Sequence, residues 1–339
     1  MGANIEKGKY GFFMEVPEGE IRILQLADVQ IIDSGQMRRP DRLCEFERLK
    51  WRTERVRDNA YAYVEEAVAR AKPHLIILTG DNMYGEFDDS GRQLKALAAF
   101  LDGFGIPWAP VFGNHDNESA IGPALQCEIL ESASHSLFMR GSATGNGNYS
   151  VTLVRRGVPL RTLLMLDSHG CLTSPGIRDD QIELCRSACA EVVDKYGILP
   201  PLFACYHIPS GEFLAAAAEA GYQAEDDYFA KYELGVTLPA KNGDCGKRDD
   251  PQGWVGDNSR FMDFFKAGGG DGIFVGHYHN NCTSILSGGI RYTFGLKTGL
   301  YDYHSSDMVG STLITLTGAG RGEFSVRHLY SAIKDEFGS

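Results

Sequence analysis

The 339-residue sequence predicts an α/β fold built on two sheets. Two observations carry this expectation. In the first half, short apolar runs alternate with longer stretches of helical period, the pattern of βαβ units and a parallel sheet. Late in the chain, short apolar runs follow one another with no helix between them, which predicts a second sheet packed on the first. Composition is ordinary for a globular protein, 43% hydrophobic and 23% charged. A single domain over residues 1–339 is expected, long enough to bury roughly 75% of its unfolded surface.

The elements follow in order. Residues 21–27 form the first apolar strand, and 54–72 carry a helical pattern. Residues 74–79 read as a buried strand ending in Gly80, and 91–104 as a helix. Residues 108–112 are a third strand, ending in Gly113. Residues 149–154 and 161–167 flank a Gly-Val-Pro turn and predict a hairpin. A helix over 178–196 and a strand over 202–206 come next. Residues 211–257 are rich in Gly, Asp and Lys and read as irregular; a lid or substrate loop and a solvated surface excursion both fit. A helix over 258–267 and a strand over 272–275 precede the late strands at 283–286, 290–294, 311–316 and 323–330.

The net charge of −12 disfavours nucleic acid as a partner, because phosphate contacts need clustered Lys and Arg. It leaves room for a phosphate substrate, since metal ions can supply local positive charge. The first nine residues lack the apolar run of a secretory leader, and runs such as 75–78 and 163–166 are too short to span a bilayer. None of the eight cysteines forms a Cys-x-x-Cys pair. Free thiols, a cytoplasmic location and no membrane partner are the expectations.

Each buried strand is followed by a metal-competent side chain: Asp28 after the first, Asp81 after the second, Asn114, His115 and Asp116 after the third. His207 follows the 202–206 strand, and His277 and His279 follow 272–275. Sites of open α/β sheets gather at strand carboxyl ends. Carboxylate, imidazole and amide oxygen suit borderline to hard first-row metals, and no convergent cysteines point to a thiolate site. Glycines 80, 113 and 276 fit turns where backbone crowds around ions.

The ordered motifs Gly80-Asp81, Gly113-Asn114-His115-Asp116, a lone His207 and Gly276-His277-Tyr278-His279 resemble the calcineurin-like metallophosphoesterase superfamily, with local context similar to its purple-acid-phosphatase-like branch. The resemblance implies a four-layer α/β/β/α sandwich of two mixed sheets flanked by helices. It also implies hydrolysis of a phosphate ester, as a phosphomonoesterase or phosphodiesterase, by a metal-bound hydroxide. It assigns Asp81 to bridge two metal ions, Asp28 and His279 to the first, and Asn114, His207 and His277 to the second. His115 would contact the phosphate and assist the leaving group, with Asp116 orienting it.

One position departs from the pattern. The superfamily's Asp-x-His is Asp28-Val29-Gln30 here, so the first metal loses an imidazole. Tyr84 lies three residues after Asp81 in Gly80-Asp81-Asn82-Met83-Tyr84, matching the purple acid phosphatase motif whose phenolate binds ferric iron. Tyr84 in the first site, or Gln30 or water, would complete it. The expected cofactors are Fe(III) with Fe(II), Zn or Mn, and the expected substrate is a small-molecule phosphoester or a phosphoprotein. A metal-free protein-binding scaffold and a nuclease are the competing functions. Arg38, Arg39, Lys247, Arg248 and Lys297 are candidate substrate contacts, and His169 and His304 candidate pocket-lining residues.

Overall fold

The strands over 21–26, 75–79 and 108–111 are apolar at nearly every position because the fold covers both of their faces. The computed structural model describes residues 4–38, 41, 43–171, 173–221, 236–237, 242–248 and 255–334. Its strands are β1 (Ile5–Lys7), β2 (Gly11–Glu15), β3 (Ile21–Leu26), β4 (Leu75–Thr79), β5 (Trp108–Val111), β6 (Tyr149–Arg155), β7 (Val158–Met165) and β8 (Leu202–Cys205). They continue with β9 (Val236–Thr237), β10 (Lys247–Arg248), β11 (Gly270–Val275), β12 (Ser284–Ser287), β13 (Ile290–Phe294), β14 (Gly310–Leu316) and β15 (Phe324–Tyr330). The α-helices are α1 (Glu45–Lys50), α2 (Ala62–Ala71), α3 (Arg92–Asp102), α4 (Gly122–Ser132), α5 (Asp179–Tyr196), α6 (Gly211–Glu219) and α7 (Ser259–Ala267).

Two mixed sheets result. The five-stranded sheet runs β15-β14-β3-β4-β5 and the eight-stranded sheet β1-β2-β6-β7-β8-β11-β13-β12. Strands β3, β4 and β5 are parallel, as are β7, β8, β11 and β13. The period-two alternation of the second sheet builds both of its interfaces. Leu163, Met165, Phe203, Cys205 and Phe274 face a core shared with Ile21, Ile23, Leu75 and Ile77. Their neighbours Leu164, Leu166, Ala204, Tyr206, Ile273 and Val275 pack outward against α5, α6 and α7. Helix α2 lies over β3 and β14 on the opposite side, giving the α/β/β/α order. Each fully buried Leu or Phe contributes roughly 1.5–3 kcal/mol. Between the sheets, Arg161 and Asp271 form a buried two-pronged ion pair, both contacts 2.9 Å, with the guanidinium over Phe203 and Phe324.

Three expectations are corrected. The late strands do not form one sheet of their own: β12 and β13 extend the eight-stranded sheet, whereas β14 turns back to pair antiparallel with β3 and carries β15 with it. The first sheet is therefore mixed, as the family resemblance implies, rather than parallel as the alternation of strand and helix alone suggests. Residues 211–219 are helical, not irregular, because this alanine-rich stretch buries Phe213, Ala216 and Ala217. The rest of the expected lid or substrate loop falls largely on 222–235, 238–241 and 249–254, outside the described residues, as does Arg39. No helix among the described residues is long and apolar enough to cross a membrane.

Candidate metal centre

Strands β3, β4 and β5 of one sheet and β8 and β11 of the other end at the same rim. Beneath it, the buried Gln25 ties the sheets together, its amide donating to Thr79 Oγ1 at 3.1 Å and to the Val275 carbonyl at 2.9 Å. Beyond the rim the chain turns sharply. Asp28, Gln30, Asp81 and His277 all hold positive φ, at 52°, 49°, 49° and 79°. Side-chain-bearing residues rarely adopt this conformation, and it gathers at functional sites. The glycines expected to allow crowding do so. A Cβ on Gly113 would stand 2.2 Å from Asp81 Oδ1, one on Gly276 2.6 Å from Asp28 Oδ2, and one on Gly80 2.6 Å from the His207 ring.

The turns deliver two overlapping groups of donors, Asp28–Asp81–His279 and Asp81–His207–His277, each with its ligand atoms within 4.8 Å of one another. Asp81 belongs to both. His207 Nε2 lies 3.2 Å from Asp81 Oδ2 and 3.1 Å from Asn114 Oδ1, which places Asn114 in the second group. His207 Nδ1 is fixed on the Thr79 carbonyl at 2.9 Å, leaving Nε2 to face the centre. His279 repeats this arrangement, with Nδ1 on the Tyr303 carbonyl at 2.8 Å and Nε2 3.3 Å from Asp28 Oδ1. The exposed Tyr303 ring stacks on His279 at 4.2 Å. The Asp28 carboxylate also accepts the His277 amide, 3.1 Å from each oxygen.

The electrostatics suit a cation. Burial alone would raise both aspartates, but His207 and His115 around Asp81, and His279 beside Asp28, hold their carboxyls below the usual range. Burial lowers His207, yet Asp81 and Asp28 outweigh it and raise its pKa to about 9. Burial and the neighbouring His207 push His277 down to about 3, so that imidazole is neutral and ready to ligate. Buried oxygen and imidazole donors, with a cradle that a single extra carbon would fill, fit borderline to hard first-row metal ions.

His115 lies beside the cluster, its amide donating to Asp81 Oδ1 at 2.9 Å. Its imidazole Nδ1 meets Glu118 Oε2 at 2.8 Å. Burial lowers its pKa, but Asp81 and Glu118 raise it to about 9, so the imidazole is protonated at neutral pH. The expectation that Asp116 orients this ring is corrected. Asp116 is buried and its carboxylate accepts from the amides of Gly113 (2.7 Å) and Met83 (3.0 Å) and the side chain of Asn82 (3.1 Å). It ties the β4 and β5 turns together, and Glu118, which the sequence reading missed, holds the imidazole. Tyr84 is buried, its ring stacked on His115 at 4.1 Å and packed against Trp51 and Phe87.

The candidate substrate contacts divide. Lys297 is buried, its Nζ donating to the Asp28 carbonyl at 2.8 Å and to Gln30 Oε1 at 2.5 Å. Burial lowers its pKa to about 8, which keeps it an ammonium at neutral pH. It is thus part of the site's underside rather than a surface lysine. Arg38 donates to the Glu118 carbonyl, next to the His115 turn, and pairs with Asp89 at 3.3 Å. Lys247 bonds Asp307. His169 is buried against Gln181 at 3.0 Å, and His304 meets Lys50 Nζ at 3.5 Å.

Two mixed sheets carrying a carboxylate–imidazole cluster at their carboxyl rim define an α/β protein with a candidate metal site. The chain belongs to the calcineurin-like phosphoesterase family, whose model matches residues 21–281. It is similar to phosphatase DCR2 of Saccharomyces cerevisiae, 28% identical over 244 residues, 67% of this chain and 41% of the yeast protein. The chain thus spans about two fifths of that relative's length. It is also similar to probable inactive purple acid phosphatase 29 of Arabidopsis thaliana, 25% identical over 320 residues, 86% of this chain and 74% of the plant protein. A dimetal phosphatase from Danio rerio aligns with 93% of this chain and 100% of its own, at 12% identity and a TM-score of 0.48. An overlap that loose adds nothing to the family match. Family membership supports phosphoester hydrolysis as the general chemistry.

Proposed function

We propose that this chain is a phosphoester hydrolase working on a binuclear metal centre. The observation that carries the reading is the sharing of Asp81 between two groups of donors, all buried except the half-buried His277. Asp28, Asp81 and His279 would hold the first ion, with the Tyr84 phenolate as a further ligand; Asp81, Asn114, His207 and His277 would hold the second. When bound, the ions supply Lewis acidity that activates water and offsets charge on the phosphoryl group.

The chain's own residues do the rest. Asp81 fixes the spacing of the two positions. With Asp81 engaged by the ions, the Glu118 carboxylate is what holds the proton on His115, which donates it to the leaving oxygen, so the departing group leaves as a neutral alcohol or phenol. Glu118 holds the ring through Nδ1, which leaves Nε2 as the donating atom. Charge counting supports a trivalent–divalent pair. Asp28, Asp81 and a Tyr84 phenolate total −3, whereas Fe(III) with Fe(II), Zn or Mn totals +5, so a net +2 would remain to attract phosphate. A small-molecule phosphoester or a phosphoprotein fits this site, and the net charge of −12 weighs against a nuclease. The free cysteines favour a reducing, cytoplasmic location.

Elemental analysis alongside p-nitrophenyl phosphate and bis(p-nitrophenyl) phosphate turnover tests the reading. Two metal ions per chain and hydrolysis of either ester support it. A folded protein that takes up no metal would leave the scaffold alternative standing. For the iron assignment, a visible tyrosinate charge-transfer band that disappears in Tyr84→Phe is the expected signature. Full activity in a colourless, iron-free preparation contradicts it.

A further inference from the structure

Gln30 occupies the position where the family pattern has an imidazole, and its surroundings decide which end of the amide faces the centre. The side chain is fully buried. Its Nε2 lies 3.4 Å from Asp81 Oδ2, and its Oε1 lies 2.5 Å from Lys297 Nζ. Lys297 donates in addition to the Asp28 carbonyl, 2.8 Å away. An ammonium can only donate, and an ionised carboxylate can only accept. Both neighbours therefore impose the same orientation: oxygen toward Lys297, NH2 toward Asp81. The two ends of an amide are told apart by its hydrogen-bond network; here two chemically opposite partners agree.

Lys297 is itself held in place. Its backbone bridges Ala27 on one side and Val309 on the other, and its carbonyl accepts the Gly310 amide at 2.9 Å. The lock on Gln30 is thus part of the junction between the β3 turn and β14, not a mobile surface contact. An amide NH2 group has no lone pair to offer a metal ion, and the oxygen that could ligate faces the lysine rather than Asp81.

We propose that Gln30 is a positioning residue for the shared carboxylate, locked by Lys297, and not a metal ligand. This rests on the binuclear reading above. The two metal positions are then unequal. The second keeps Asp81, Asn114, His207 and His277, whereas the first keeps only Asp28, Asp81 and His279 from the Asp, Asn and His set. The lysine charge on Asp28's own carbonyl adds a repulsion felt chiefly at that first position.

Co(II) loading of the full chain tests this, read by calorimetric affinity, stoichiometry and the visible ligand-field spectrum. Wild-type protein is expected to bind two Co(II) ions in a tight and a weaker step. Gln30→Leu is expected to keep both ions and the same spectrum per ion, with the weaker step lowered a further ~10–100-fold, the usual cost of losing an outer-shell hydrogen bond. Gln30→His, which restores a ligand, is expected to tighten the weaker step and to change the spectrum. Loss of one Co(II) with an altered spectrum in Gln30→Leu would make Gln30 a ligand and overturn the proposal. Unchanged affinity in both variants would overturn it equally. Wild-type protein that binds a single ion, or none, would instead bring down the binuclear reading beneath it.

Discussion

His115 and Glu118 sit 2.8 Å apart, and that contact sets how the site handles a proton. In the metal-free chain the imidazole, raised to about 9, is charged below that pH and loses its proton as pH rises through it. Turnover that uses this proton should fall on the alkaline side. Glu118→Gln removes one of the carboxylates that raise the pKa, so the alkaline limb of the kcat profile should move to lower pH while metal content stays the same. His115→Ala should retain metal but lose ~10²–10⁴-fold in kcat, the usual worth of a general acid. An unchanged kcat in His115→Ala would remove the residue from the reaction. The ligands were legible in the sequence because each ends a buried apolar run at a sharp turn. Glu118 was not, because Asp116 beside His115 looked the natural partner. Only the folded turn shows that Asp116 faces the Gly113 and Met83 amides. The Gln30–Lys297 contact joins positions 267 residues apart, a separation no local pattern reports.

At the scale of elements, the rim works because five strands end together and their turns leave no spare volume. A Cβ on Gly113 would lie 2.2 Å from Asp81 Oδ1 and 2.3 Å from the Asp81 backbone nitrogen. Gly113→Ala should therefore displace the shared carboxylate and lower metal stoichiometry in a protein that still folds, as read by circular dichroism beside elemental analysis. Wild-type metal content in that variant would contradict the cradle. Most strands and long helices were readable from periodicity, since β4 and β8 carry short apolar runs and α5 a sustained helical face. The order of the strands was not. Nothing local in Gly310–Leu316 says that it pairs antiparallel with β3 rather than extending β13, because that choice is made by long-range packing across the shared core.

At the scale of the whole molecule, two further features bear on stability. The Arg161–Asp271 pair is almost completely shielded, with side-chain exposures of 0% and 1%. Removing one partner strands a buried charge, so Asp271→Ala should cost ~3–5 kcal/mol in denaturant unfolding without changing the metal site. A loss below ~1 kcal/mol would mean that solvent reaches the guanidinium. The second feature couples metal to pH. His207 is raised from an ordinary 6.5 to about 9, so the stability its proton provides is present below 6.5 and lost as pH rises through 9. Metal must displace that proton, so binding should release protons and strengthen with pH. The rise in melting temperature on adding Mn(II) should be larger near pH 8.5 than near pH 6.5, and a reversed trend would take His207 out of the ligand set. The most direct test of the account is metal stoichiometry and phosphoester turnover measured together in wild-type protein and Asp81→Asn. Two ions per chain with hydrolysis in the wild type, and loss of both ions and activity in Asp81→Asn, are expected. Equal metal content and turnover in the two proteins would contradict a centre built around that carboxylate.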